Sequence, residues 1–108
     1  MEKAKSFRDL SVWQKSHKFT IEVYGLTATF PISERFSLVA QMRRAAVSVA
    51  ANIAEGFAKK GIKNKLNFYN ISQGSLEELK YYFILARDLG FCMKIDDSIT
   101  LLNEVGKC

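Results

Sequence analysis

Along the first quarter of the chain, apolar or small residues recur at spacings of three and four: Val12, Trp13, Ser16, Phe19, Thr20, Val23, Tyr24 and Thr27. Gln14, Lys15, Lys18 and Glu22 fall on the opposite side, the signature of an amphipathic helix. Asp9 is the expected N-cap, and Pro31 closes the segment because the residue before a proline is driven out of helical geometry. A second period starts after Ser33, the expected cap, with Glu34 favourable in the first turn. At 100° per residue it gathers Phe36, Val39, Ala40, Val47, Ala50, Ile53, Ala54 and Phe57 on one broad face. Arg43 points into that face, while Gln41, Arg44, Ser48, Asn52 and Glu55 form a narrow polar stripe opposite, flanked by Ala45, Val49 and Gly56.

"KKGIKNK" around Gly61 lacks an apolar period and is the expected connection to a third helix. There Phe68, Ile71, Ser75, Leu79, Tyr82, Ala86 and Leu89 share a face, and Gly90 is placed to end the helix as its C′ residue. Ser75 and Glu78 have the spacing of a capping box after Gly74, but the apolar face runs unbroken through that point, so one helix is expected. "IDDSITLLNEVGKC" reads as a short fourth helix, with Asp96 or Asp97 as cap and Ile99, Leu102 and Val105 inward. The pattern predicts an all-α, antiparallel up-down-up-down four-helix bundle forming a single domain over 1–108, with helices at about 9–28, 34–59, 64–89 and 97–106.

One proline and six glycines in 108 residues leave few turns, which agrees with a few long helices. No apolar run approaches the ~18 to 20 residues that span a bilayer. The N-terminal "MEKAKSFRDL" lacks a signal-peptide apolar core, so the expected compartment is the cytoplasm. Cys92 and Cys108 show neither metal-site spacing nor disulfide-scaffold density and read as free thiols.

The net charge of +5 is unevenly placed. Residues 1–34 hold five Lys or Arg against four acids, residues 35–65 seven against Glu55 alone, and residues 66–108 four against six, giving +1, +6 and −2. A concentrated excess suits a polyanion better than a diffuse one. Lys59, Lys60, Lys63 and Lys65, with Asn64, Asn67 and Tyr69 beside them, have the composition of a phosphate-contacting edge. The plainer alternative is a solvated loop whose lysines serve solubility.

Catalysis and metal binding find little footing. A two-metal carboxylate site in a bundle needs Glu-x-x-His pairs, and the single histidine, His17, is preceded three positions earlier by Gln14. His17 is expected to be a packed, hydrogen-bonded side chain at the edge of the first helix's apolar face. Neither cysteine has a second histidine to activate it, and no glycine-rich phosphate loop is present. No catalytic residue, metal ligand or cofactor is therefore expected, and the chain is read as a non-enzyme.

The polar stripe of the second helix is poor in Lys and rich in Ser, Asn and Ala. Small side chains permit close helix approach, so Arg43, Ala45, Ser48, Asn52, Glu55 and Gly56 are read as helix-packing or oligomer-forming positions, with Arg44 joining the lysines as a phosphate contact. One face of that helix serves its own bundle, and the surplus points to contact between subunits.

The stretches "FRDLSVWQKSHKF", "TATFPISERFSL", "QMRRAAVSVAANIAEG" and "GSLEEL" stand in the order and spacing of the bacterial four-helix bundle family called 23S rRNA-intervening-sequence proteins, which the chain resembles over nearly its whole length. That family is similar in fold to the accessory variability determinant of diversity-generating retroelements, a pentameric barrel with a basic surface that binds nucleic acid and a reverse transcriptase. The resemblance implies a homopentamer with no known catalytic activity and an RNA or DNA partner. The motif residues carry over as Arg43, Arg44, Ser48, Asn52 and Glu55, without settled roles. Ser37 stands where the family usually has Gly, and the fourth helix stops at Cys108 where relatives usually continue. The reading reached is a non-enzymatic oligomer that binds nucleic acid, RNA rather than DNA, by charge and shape. The rival is an oligomeric scaffold or protein-interaction module with no nucleic-acid role.

Overall fold

The chain opens with a single 3₁₀ turn over Phe7–Asp9, closed by a reciprocal capping box between Ser6 and Asp9. Helix α1 follows over Ser11–Thr27. Asp9 therefore caps the preceding turn and not α1, whose N-cap is Leu10 with no side-chain bond. In this computed structural model, which describes residues 3–91, every regular element is helical. After Pro31 a second 3₁₀ turn covers Ile32–Glu34, and α2 runs over Leu38–Ala58. Ser33 lies inside that turn, so the N-cap of α2 is Ser37, four residues later than expected. Helix α3 spans Ile62–Asp88, two residues earlier than expected, because Lys59, Lys60 and Gly61 suffice to reverse the chain. The expected fourth helix, 97–106, lies outside the described residues.

Hydrogen bonds fix the directions. Arg43 reaches Thr27 while Thr20 reaches Ala46, so rising numbers on α2 meet falling numbers on α1. Ser72 bonds Val49 and Ser75 bonds Ser48, so α3 is likewise antiparallel to α2. Helix α2 lies between the other two. Contact across its neighbours is made by aromatic rings, with Phe19 of α1 5.8 Å from Phe83 of α3 and Phe30 5.6 Å from Phe91. Met42, Leu79, Phe83 and Ala86 are wholly buried at the centre.

The buried face of α2 is Leu38, Val39, Met42, Ala45, Ala46, Val49, Ile53 and Gly56, rotated from the face expected from apolarity. Val47 is exposed, and Phe36, ahead of the helix, is 87% exposed. Two neighbours cover two flanks of α2, so its buried arc takes in Leu38, Met42, Ala46 and Val49 beside the expected Val39 and Ile53, and leaves Gln41, Arg44, Val47 and Glu55 in solvent. On α3 the buried set is Ser72, Leu76, Leu79, Phe83 and Ala86, while the expected Ile71 and Leu89 are about half exposed. Gly90 ends α3 as read: its φ is 79°, and the Gly90 and Phe91 amides donate to the Arg87 and Ala86 carbonyls, a Schellman motif. His17 is exposed and stacked on Trp13, ring centroids 5.0 Å apart, instead of packed within the bundle.

Candidate functional site

The residues expected to contact nucleic acid separate into two groups at opposite ends of α2. Arg44 sits toward the N-terminal half, beside Tyr82 of α3. There partial burial, with help from the Glu78 carboxylate that accepts the Tyr82 hydroxyl, pushes the phenol above its ordinary value, and Arg44 pulls it back. The lysines lie past the C-terminal end, and the fifteen-residue offset from Arg44 to Lys59 corresponds to roughly 22 Å of helix.

The four lysines differ in what holds them. Lys65 donates to the carbonyls of Phe57 (2.8 Å) and Gly56 (3.2 Å) and lies 5.6 Å above the Phe57 ring. It closes the C-terminus of α2, where a cation meets both orphan carbonyls and the negative end of the helix dipole. Lys59 pairs with Glu55 at 3.7 Å and lies 5.1 Å over Phe68. Lys60 and Lys63 are exposed and make no hydrogen bond or ion pair among the described residues. They stand at the start of α3, whose N-cap, Gly61, offers no side-chain acceptor to the first-turn amides and whose first turn has no acid. Cations at the positive end of a helix are unfavourably placed for stability, and the same amides and charges favour an incoming anion.

The positions assigned to packing or assembly have partners inside the chain. Arg43 donates through Nε to Thr27 Oγ1 at 2.9 Å and through Nη2 to the Tyr24 carbonyl at 3.2 Å, with its guanidinium 4.6 Å from the Tyr24 ring. Its partners are thus a carbonyl and a hydroxyl of its own α1. Asn52 donates to the Ser48 carbonyl (2.8 Å) and hydroxyl (3.0 Å), and Ser75 of α3 donates to the same hydroxyl at 2.8 Å. Ser72, a residue the periodicity did not single out, bonds Val49 O at 2.9 Å. Ala45 is core, and a Cβ on Gly56 would stand 2.5 Å from the Tyr69 ring. Glu55 is exposed with Lys59. Ala45, Ser48, Asn52 and Gly56 of α2 thus have packing or hydrogen-bonding partners within the same chain.

Two features escaped sequence reasoning. Ile32 (86%) and Phe36 (87%) are strongly exposed around Arg35 in the α1–α2 connection. Arg35, counted only as part of a charge excess, shares a cleft with Arg43. No signal in the linear pattern marks either, since both depend on how the connection folds. Among the described residues no cluster of three or more metal-ligating side chains occurs, and no helix is long and apolar enough to cross a membrane.

The profile of the family described as 23S rRNA-intervening sequence protein matches residues 8–108. The chain belongs to that family. A solved structure at 1.70 Å, of a protein with unknown function from the S23 ribosomal protein family of Bacteroides thetaiotaomicron VPI-5482, superposes with a TM-score of 0.82. It is 21% identical, over 89% of this chain and 88% of that one, a likeness that establishes the shared fold of this 23S rRNA-intervening sequence family member. No curated protein matches the chain significantly.

Proposed function

We propose that this protein is a non-enzymatic, cytoplasmic four-helix bundle that self-associates, as a pentamer on the family resemblance, and binds nucleic acid, RNA in preference to DNA, by charge and shape. One observation carries the reading: residues 35–65 hold seven cations against a single acid, and only Lys59 among those cations has an ion pair among the described residues. Unneutralised charge kept on a surface is an electrostatic cost to the fold unless a polyanion meets it. Lys60 and Lys63, at the uncapped start of α3, are the residues best disposed to contact phosphate, while Lys65 is engaged in closing α2. A fourth helix over 97–106 would complete the bundle, and the family's description, which refers to intervening sequences of 23S rRNA, favours RNA as the polyanion. The scaffold alternative is favoured by Ile32 and Phe36, large apolar side chains held in solvent.

The test is a salt titration of binding to a generic single-stranded RNA. Affinity should fall steeply with salt, and replacing Lys60 and Lys63 by Gln should flatten the log–log slope by about 1.4, two phosphate contacts at about 0.7 each. No measurable binding at low salt refutes the nucleic-acid role and leaves the scaffold reading. Light scattering that gives a stable monomer removes self-association.

A further inference from the structure

Where α1 turns into α2 the chain forms a cleft of about 220 Å³. Phe30, Pro31, Ile32 and Val39 give it apolar walls, and Arg35 and Arg43 bring two guanidinium groups to it. Among the described residues no carboxylate lines it. The nearest acid in sequence, Glu34, accepts a hydrogen bond from the Ser37 hydroxyl at 3.0 Å. Neither arginine has an ion pair among the described residues.

The two cations are held differently. Arg43 is anchored by Thr27 Oγ1 and the Tyr24 carbonyl and stacked on the Tyr24 ring, so its position is set before any ligand arrives. Those bonds use two of its five N–H donors and leave three. Arg35 lies 5.4 Å over the Phe36 ring, and its guanidinium makes no hydrogen bond among the described residues. A fixed Arg43 and an Arg35 held only by a ring contact thus line one cleft with no counter-ion among the described residues, and guanidinium groups suit a planar or tetrahedral oxyanion.

We propose that this cleft is a binding site for a small organic oxyanion, its carboxylate or phosphate head between Arg43 and Arg35 and its apolar body against Phe30, Pro31, Ile32 and Val39. The volume is below the ~300 Å³ at which drug-sized ligand pockets begin, so the ligand is compact, on the scale of one ring. The site is separate from the polyanion surface proposed above. Arg43 lies in the N-terminal third of α2 and Lys60 beyond its end, and the offset of 17 residues between them corresponds to roughly 25 Å of helix.

The experiment titrates the full chain with phenyl phosphate, benzoate and benzyl alcohol, read by amide chemical-shift mapping and calorimetry. Both acids should shift the amides of Ala28, Ile32 and Val39, and the neutral alcohol should not. Arg35→Gln should weaken both acids by about tenfold or more, the effect of removing a charge-assisted hydrogen-bonding partner. Because Arg35 is exposed and its side chain anchors nothing in the fold, this variant should keep the wild-type circular dichroism and melting temperature. The proposal is overturned if the alcohol binds as well as the acids, if Arg35→Gln leaves both affinities unchanged, or if millimolar acid shifts amides around Lys60 and Lys63 instead. Shifts at the cleft do not depend on RNA, so failure of the nucleic-acid reading leaves this result standing, and the reverse holds too.

Discussion

Alanine at Gly56 puts a methyl group where the Tyr69 ring already lies, with Cε1 at 2.5 Å, Cδ1 at 2.8 Å and Cζ at 3.1 Å from the new carbon. To regain contact at 3.4 Å the ring must retreat by about 0.9 Å, or α2 and α3 must part locally. Against this, alanine in place of glycine near a helix end favours the helix by up to about 1 kcal/mol. Overpacking of a closed helix contact costs about 1 to 3 kcal/mol, so Gly56→Ala should be destabilising by about 1 to 2 kcal/mol net. For a domain of this size that lowers the melting temperature by roughly 4 to 15 °C. Gly25 and Gly74 provide the control, because each lies within a helix with nothing inside 4 Å of the methyl carbon that alanine would add, and the substitution there should stabilise by about 0.5 to 1 kcal/mol. Urea unfolding followed by circular dichroism measures all three. A decisive cross-check is Gly56→Ala in a Tyr69→Ala background, where the obstruction is gone and the substitution should become neutral or stabilising. If Gly56→Ala is as stable as wild type, the close α2–α3 contact at Tyr69 is not what the geometry states, and the argument that small residues on α2 serve packing within the chain fails with it.

Four further outcomes follow from the same geometry. Arg43→Met should cost about 1.5 to 3 kcal/mol in urea unfolding, since it removes two charge-assisted hydrogen bonds to α1 while leaving Thr27 its bond to the Val23 carbonyl. Lys65→Gln should lower stability by about 1 kcal/mol through the lost closure of α2, with little effect on the salt slope of RNA binding. Lys60→Gln with Lys63→Gln should do the opposite, and measuring both properties on both variants separates structural from binding lysines. Tyr82 has a folded pKa above its ordinary 10.0, so the neutral phenol favours the folded state. The stability it contributes is complete below about pH 10 and is lost as pH rises through the folded value. Tyr82→Phe should therefore lose less stability than wild type as pH rises above the ordinary phenol value of 10.0.

Much of the helix layout was legible in the order of residues. Periodicity located three long helices to within a few residues, and Pro31 and Gly90 marked ends that the structure places nearby, because both act through local backbone geometry. Caps were less legible. Asp9 and Ser33 have the right chemistry for N-caps, but each is drawn into a 3₁₀ turn that a one-dimensional pattern does not reveal. The candidate site was readable as a charge excess and not as geometry: which lysine is left in solvent and which donates to a carbonyl depends on where α3 starts.

Sequence by itself determined that residues 3–91 are helical, where their three long helices lie, and that the positive charge concentrates in the middle third, since these follow from local period, backbone restriction and composition. Tertiary structure alone decided how α2 divides its surface between two neighbours. Its apolar side is broad, and the exact arc buried is set by the helices that approach it, α3 with Tyr69 over Gly56 and Ser75 against Ser48, and α1 with Thr20 on the Ala46 carbonyl. The same packing sent Arg43 to α1, closed α2 with Lys65, and left Arg35, Lys60 and Lys63 as charges without ion pairs among the described residues, because a cation's partner is set by distance in space.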